Sequence, residues 1–129
     1  MIRLVVDRTL GRRFVERLRA AGIQVTTLDD VWGEAAAQRT DVDWIRWAGA
    51  HRRVALTADE SIRFLKAKRD AIETARLQVF CFPHNCLVVA ERVRRVLALT
   101  PAMERLVGQR PGPWLAALYA DGVRAREWR

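Results

Sequence analysis

LVVDRTLG, residues 4–11, runs from an apolar stretch into a carboxylate and then into residues that begin a helix. Ile2 to Val6 is a short continuous run of aliphatic residues, the pattern of a strand buried on both faces. Thr9 to Ala21 carries Leu10, Phe14, Val15, Leu18 and Ala21 at helical spacing, and Gly22 closes it. Asp7 therefore stands at the carboxyl end of a central strand. Fifty residues on, RVALTAD (53–59) repeats the arrangement, with Asp59 just beyond the strand. Either aspartate alone is explained as a helix cap, a place Asp favours strongly. Two at equivalent places point to a shared site.

Working outward, strands alternate with helices. IQVTTL (23–28) reads as a second strand, and 29–39 as loop with a short turn. Thr40 opens a helix with Trp44, Ile45 and Ala48 on one face. RVALT (53–57) is a third strand, followed by a helical stretch carrying Ile62, Phe64 and Leu65. LQVFCF (77–82) is a fourth strand, ended by Pro83. Leu87 to Leu99 forms an amphipathic helix with Val88, Val89, Val93, Val96 and Leu97 on or near one face, and Thr100-Pro101 starts another. Residues 114–129 read as a hairpin turning at Asp121-Gly122, with a helix over 114–120 as the rival. The pattern predicts a three-layer α/β/α domain spanning residues 1–129, with a central, mostly parallel sheet. In such sheets ligands bind outside the carboxyl ends of the strands, where Asp7 lies.

A third acid comes from the Thr40 helix. At about 100° per residue, Asp41 shares the inward face of Trp44, Ile45 and Ala48. Asp43 falls about 200° from Asp41 and suits the third position of a capping box opened by Thr40. Asp41 is thus the preferred inward carboxylate. Three carboxylates at one edge repel each other unless something positive lies among them. Mg²⁺ or Mn²⁺ takes oxygen ligands, keeps waters and bridges to phosphate, which implies metal-assisted phosphodiester hydrolysis.

DRTLG (7–11), RFVERLRAAGIQV (13–25), DVDWIRWA (41–48) and RVALTAD (53–59) together resemble the PIN domain, and more closely the short VapC-type toxins of toxin–antitoxin pairs. The resemblance is ordered from Ile2 to about Ile62 and continues more weakly to the C-terminus. It implies an endoribonuclease dependent on Mg²⁺ (or Mn²⁺), with Asp7, Asp41 and Asp59 as metal-binding catalytic residues and Thr57 as the hydroxyl neighbour of the last. It also implies RNA as substrate and a cognate antitoxin protein as partner, and it is compatible with a homodimer. One departure matters: such nucleases usually carry a further acid, often Glu, between the second strand and the Asp41 helix. Glu34, Asp30 and Asp29 are the candidate substitutes here, with no spacing that singles one out. Arg8, beside the first acid, is another departure and a candidate for phosphate contact. A fold that binds nucleic acid or a partner without full catalysis is the alternative reading.

Composition agrees with a globular chain of 129 residues, 50% hydrophobic and 29% charged. No apolar run approaches a membrane span, and the acid at position 7 comes too early for a signal peptide, so a cytoplasmic protein is expected. The net charge of +8 attracts polyanions, and nearly all of the positive charge is Arg. CFPHNC (81–86) invites a zinc reading, but four ligands are needed and the other histidine, His51, belongs to a different element. Cys81 is expected as a buried strand residue. Trp32 is the best base-stacking candidate, Trp44 is expected in the core, Trp47 is ambiguous, and Trp114 and Trp128 are expected to pack at the C-terminal end. Neither a phosphate loop nor a Ser-His-Asp order occurs.

Overall fold

The computed structural model describes residues 1–127. Six strands form one sheet in the order β2-β1-β3-β4-β5-β6: β1 (Arg3–Val6), β2 (Gln24–Thr27), β3 (Val54–Thr57), β4 (Gln78–Cys81), β5 (Trp114–Leu118) and β6 (Val123–Arg126). All neighbours are parallel except β5 and β6. That last pair is the expected hairpin, closed by the Tyr119 amide donating to the Gly122 carbonyl at 2.9 Å.

Alternation along the strands divides the interior in two. Leu4, Val6, Leu56, Phe80, Ala116 and Leu118 point to one face, where α1 (Gly11–Ala20) and α5 (Val89–Gln109) contribute Phe14, Leu18, Val96 and Met103. Val5, Ala55, Val79, Cys81, Leu115 and Ala117 point to the other, where α3 (Asp41–Ala50) and α4 (Lys66–Ala75) contribute Trp44, Ile45, Ala48, Ala71 and Ile72. This is the three-layer α/β/α arrangement. Every residue of β3 and β5 is buried, as continuous apolar strands between two helical layers require. The helices α3 and α4 pack so closely that a Cβ on Gly49 would lie 2.6 Å from the Ala75 Cβ.

Three local expectations need correction. Residues 29–39 are mostly helical: α2 (Leu28–Trp32), capped by reciprocal Thr27–Asp30 bonds, runs into a 3-10 helix over Gly33–Gln38. Leu28 and Ala36 supply the buried contacts that fix a segment with little periodicity. The two helices expected around residue 100 are one, with Pro101 inside α5. The Thr100 hydroxyl donates to the Val96 carbonyl at 2.6 Å, and burial of Met103 on the same core holds the helix continuous across the missing amide. The apolar residues Val88 and Leu97 are exposed rather than packed, as are Phe64 and Leu65, which separate a 3-10 turn (Glu60–Arg63) from α4. Trp128 lies outside the described residues.

Candidate active site

Asp7 directly follows β1 and caps the 3-10 turn Arg8–Leu10. The residue is 8% exposed and both side-chain oxygens are engaged. Oδ1 accepts from the Thr9 amide at 3.1 Å and from the Thr9 hydroxyl, and Oδ2 accepts from the Thr57 hydroxyl at 2.6 Å. Burial pushes the Asp7 carboxyl above its ordinary range. The hydroxyl and amide bonds oppose that push, and the nearby Asp41 charge adds to it.

Thr57, fully buried at the end of β3, joins two of the acids. Its hydroxyl donates to Asp7 and accepts from the Asp59 amide at 3.0 Å. The Thr9 hydroxyl likewise accepts from the Ala58 amide at 3.0 Å. The carboxyl ends of two adjacent parallel strands are thereby stitched together through the Asp7 carboxylate. The Asp59 side chain turns back onto Ser61, accepting from its amide at 3.0 Å and its hydroxyl at 2.5 Å, and so caps the following turn.

Asp41 and Asp43 have separate surroundings. Asp43 and Thr40 form a reciprocal capping box at the start of α3. Asp41 accepts from the buried Trp44 indole at 2.9 Å and from the Lys68 ammonium at 2.6 Å. Burial pushes its carboxyl up, but the hydrogen bonds from Lys68 and Trp44, with the Lys68 charge, outweigh that and hold it below the usual carboxylate range.

Lys68 was not anticipated. Its Nζ lies 2.6 Å from Asp41 Oδ2 and 3.9 Å from Asp59 Oδ2. The Asp41 hydrogen bond raises its pKa against burial, and the charges of Asp41, Asp59 and Asp7 all add to the rise. A signal for it existed. Lys68 precedes buried Ala71 and Ile72 by three and four residues, as Asp41 precedes buried Trp44 and Ile45. Both therefore stand on the inward faces of helix starts that cover the same side of the sheet.

Asp7, Arg8, Arg39, Asp41, Trp44 and Lys68 line an open cleft of about 460 Å³. A second, adjoining cleft of about 500 Å³ runs from Asp7 and Arg8 past Arg12 and Arg19 to Asp29 and Asp30. Of the three substitutes for the further acid, Asp30 is held by Thr27 and Arg19, Asp29 lines only the second cleft, and Glu34 lines neither. Trp32 meets Trp47 edge to face at 6.4 Å, with the Arg39 guanidinium 5.2 Å over its ring. Trp47 stacks on His51 at 4.3 Å, and Trp114 packs in the core against Phe80. Cys81 and Cys86 are free and buried, and burial pushes the Cys81 thiol up to about 12.

As posed, no three His, Cys, Asp or Glu side chains among the described residues stand close enough to share a metal ion. The donor chemistry nevertheless suits a hard divalent cation: the acids offer only oxygen, and a cation, the Lys68 ammonium, already bridges two of them. No helix of the described residues is long and apolar enough to cross a membrane.

A family profile described as "PIN like domain" matches residues 2–84. A protein of Mycobacterium tuberculosis (strain ATCC 25618 / H37Rv), named "Putative ribonuclease VapC45", is 29% identical over 128 residues, covering 93% of this chain and 88% of that protein. No solved structure matches the chain significantly. Because that profile covers more than half of the chain, the chain belongs to the PIN-like domain family.

Proposed function

We propose that this chain is a metal-dependent endoribonuclease that hydrolyses RNA phosphodiester bonds and serves as the toxin half of a toxin–antitoxin pair. The observation that supports the reading is that Asp7, Asp41 and Lys68 line one cleft at the carboxyl edge of the sheet, with the Lys68 ammonium 2.6 Å from Asp41 and 3.9 Å from Asp59. Similarity along nearly the whole chain to a protein named as a ribonuclease supports the choice of RNA.

In this reading Asp7, Asp41 and Asp59 hold Mg²⁺ or Mn²⁺. When bound, the ion supplies Lewis acidity toward the phosphate and acidifies a water. The protein does the rest. Thr57 and Thr9 fix the Asp7 carboxylate against the strand ends, and Trp44 fixes one oxygen of Asp41. Exposed Arg8 and Arg39 flank the cleft and offset repulsion between the acids and a polyanionic backbone. The antitoxin is a small protein that covers the cleft.

Cleavage of a mixed RNA pool tests this, comparing wild type with Asp7→Asn and Asp59→Asn in Mg²⁺, Mn²⁺ and EDTA. Metal-dependent cutting lost in both variants is the expected result. A second reading, a binding module without full catalysis, draws on the local hydrogen bonds that occupy Asp7 and Asp59 and on the lack of a further acid in the first cleft. Folded wild type that cuts with neither metal would put that reading first.

A further inference from the structure

We propose that Lys68 is a built-in counter-cation that competes with the divalent ion for Asp41 and Asp59, so that metal binding requires its ammonium to leave the cluster. The inference rests on the reading that these carboxylates hold a divalent ion.

Three observations carry it. First, the ammonium occupies the space beside both acids, in a direct ion pair with Asp41 at 2.6 Å and 3.9 Å from Asp59. A metal ion bound by oxygens at about 2.1 Å cannot share that place. Second, α4 itself gives no reason for the position. Its first turn holds no acid, and a cation there opposes the helix dipole; the side chain is nonetheless drawn in to 22% exposure by the carboxylates. Third, the residue type is unusual for this chain. Of 23 Lys and Arg residues only Lys66 and Lys68 are lysines. Arginine grips a carboxylate through a planar fork, whereas lysine is a compact point charge on a flexible stem. The cluster thus uses the cation that fits between two acids and can swing away.

The scarcity of lysine also makes the test clean. Amine acylation followed by peptide mass spectrometry reads both lysines at once, with Lys66, 81% exposed, as internal reference. In EDTA, Lys68 should react more slowly than Lys66, and saturating Mn²⁺ should raise its relative rate several-fold. Calorimetric titration with Mn²⁺ gives a second readout: Lys68→Met should bind more tightly than wild type, by up to about fivefold, on the scale of one partly exposed ion pair. The labelling uses wild type alone, so it decides the matter even if Lys68→Met folds poorly. Mn²⁺ that binds wild type while leaving Lys68 unchanged or better protected would overturn the proposal. Equal or weaker binding by folded Lys68→Met would also overturn it, with the metal site itself intact. No Mn²⁺ binding by either protein would overturn both this and the nuclease reading.

Discussion

Thr57→Val is nearly isosteric, yet it removes the one hydroxyl that ties Asp7 to Asp59. In a fully buried position, Thr57 donates to the Asp7 carboxylate at 2.6 Å and accepts from the Asp59 amide at 3.0 Å. A hydrogen bond to a charged group contributes about 1.5–3 kcal/mol and a neutral one about 1 kcal/mol. The new methyl returns about 0.8 kcal/mol, leaving a net loss of about 2 kcal/mol. For a chain of this size that lowers Tm by roughly 8 °C. The bond also opposes the upward push of burial on Asp7, so its loss raises the Asp7 pKa further. If Asp7 must be ionised to hold metal, the acid limb of the cleavage profile moves to higher pH. Cleavage at neutral pH should fall roughly 10- to 100-fold, as when a group orienting a metal ligand is removed. Thermal unfolding in EDTA and pH–rate profiles with Mg²⁺ measure the two effects separately. A variant with Tm within about 1 °C of wild type and an unmoved acid limb would refute the claim that Thr57 sets the charge and position of Asp7.

Other outcomes follow from the same geometry. The unfolded Asp7 carboxyl loses its proton near 3.8 while the folded one keeps it to higher pH. The folded state therefore binds more protons in that window, and metal-free stability falls as pH rises through it. Asp7→Asn should remove this component, so urea midpoints in EDTA should drop from acid to neutral pH more in wild type than in the variant; an unchanging gap contradicts it. Asp41→Asn should abolish cutting, whereas Asp43→Asn should weaken only the start of α3 and leave the cleavage rate close to wild type. Comparable loss in both would mean the two acids are assigned wrongly. Arg8→Ala should weaken RNA binding about equally across sequences and lower the slope of log affinity against log salt by about 0.7–0.9, measured by filter binding with an inactive Asp7→Asn background.

The sequence carried the sheet because its strands are buried on both sides: continuous runs such as VALT and LVV have no other economical place in a chain of this size. Parallel order then put Asp7 and the Thr57–Asp59 segment at one edge. The helical wheel separated Asp41 from Asp43, since one residue shares the Trp44 face and the other faces Thr40. Failures came where tertiary contacts overrule local signals. Pro101 reads as a helix start, but the buried Met103 beyond it keeps α5 whole. Residues 29–39 read as loop because only Leu28 and Ala36 anchor them. Lys68 has no apolar periodicity of its own to mark it, and its place follows only once α4 is packed beside α3.

The most direct measurement is the anomalous scattering of Mn²⁺ soaked into crystals of the wild-type protein. The account predicts a peak among Asp7, Asp41 and Asp59, with carboxylate oxygens at about 2.1 Å and the Lys68 side chain turned out of the cluster. A fully diffused crystal with no peak there, Lys68 still bridging Asp41 and Asp59, would contradict it.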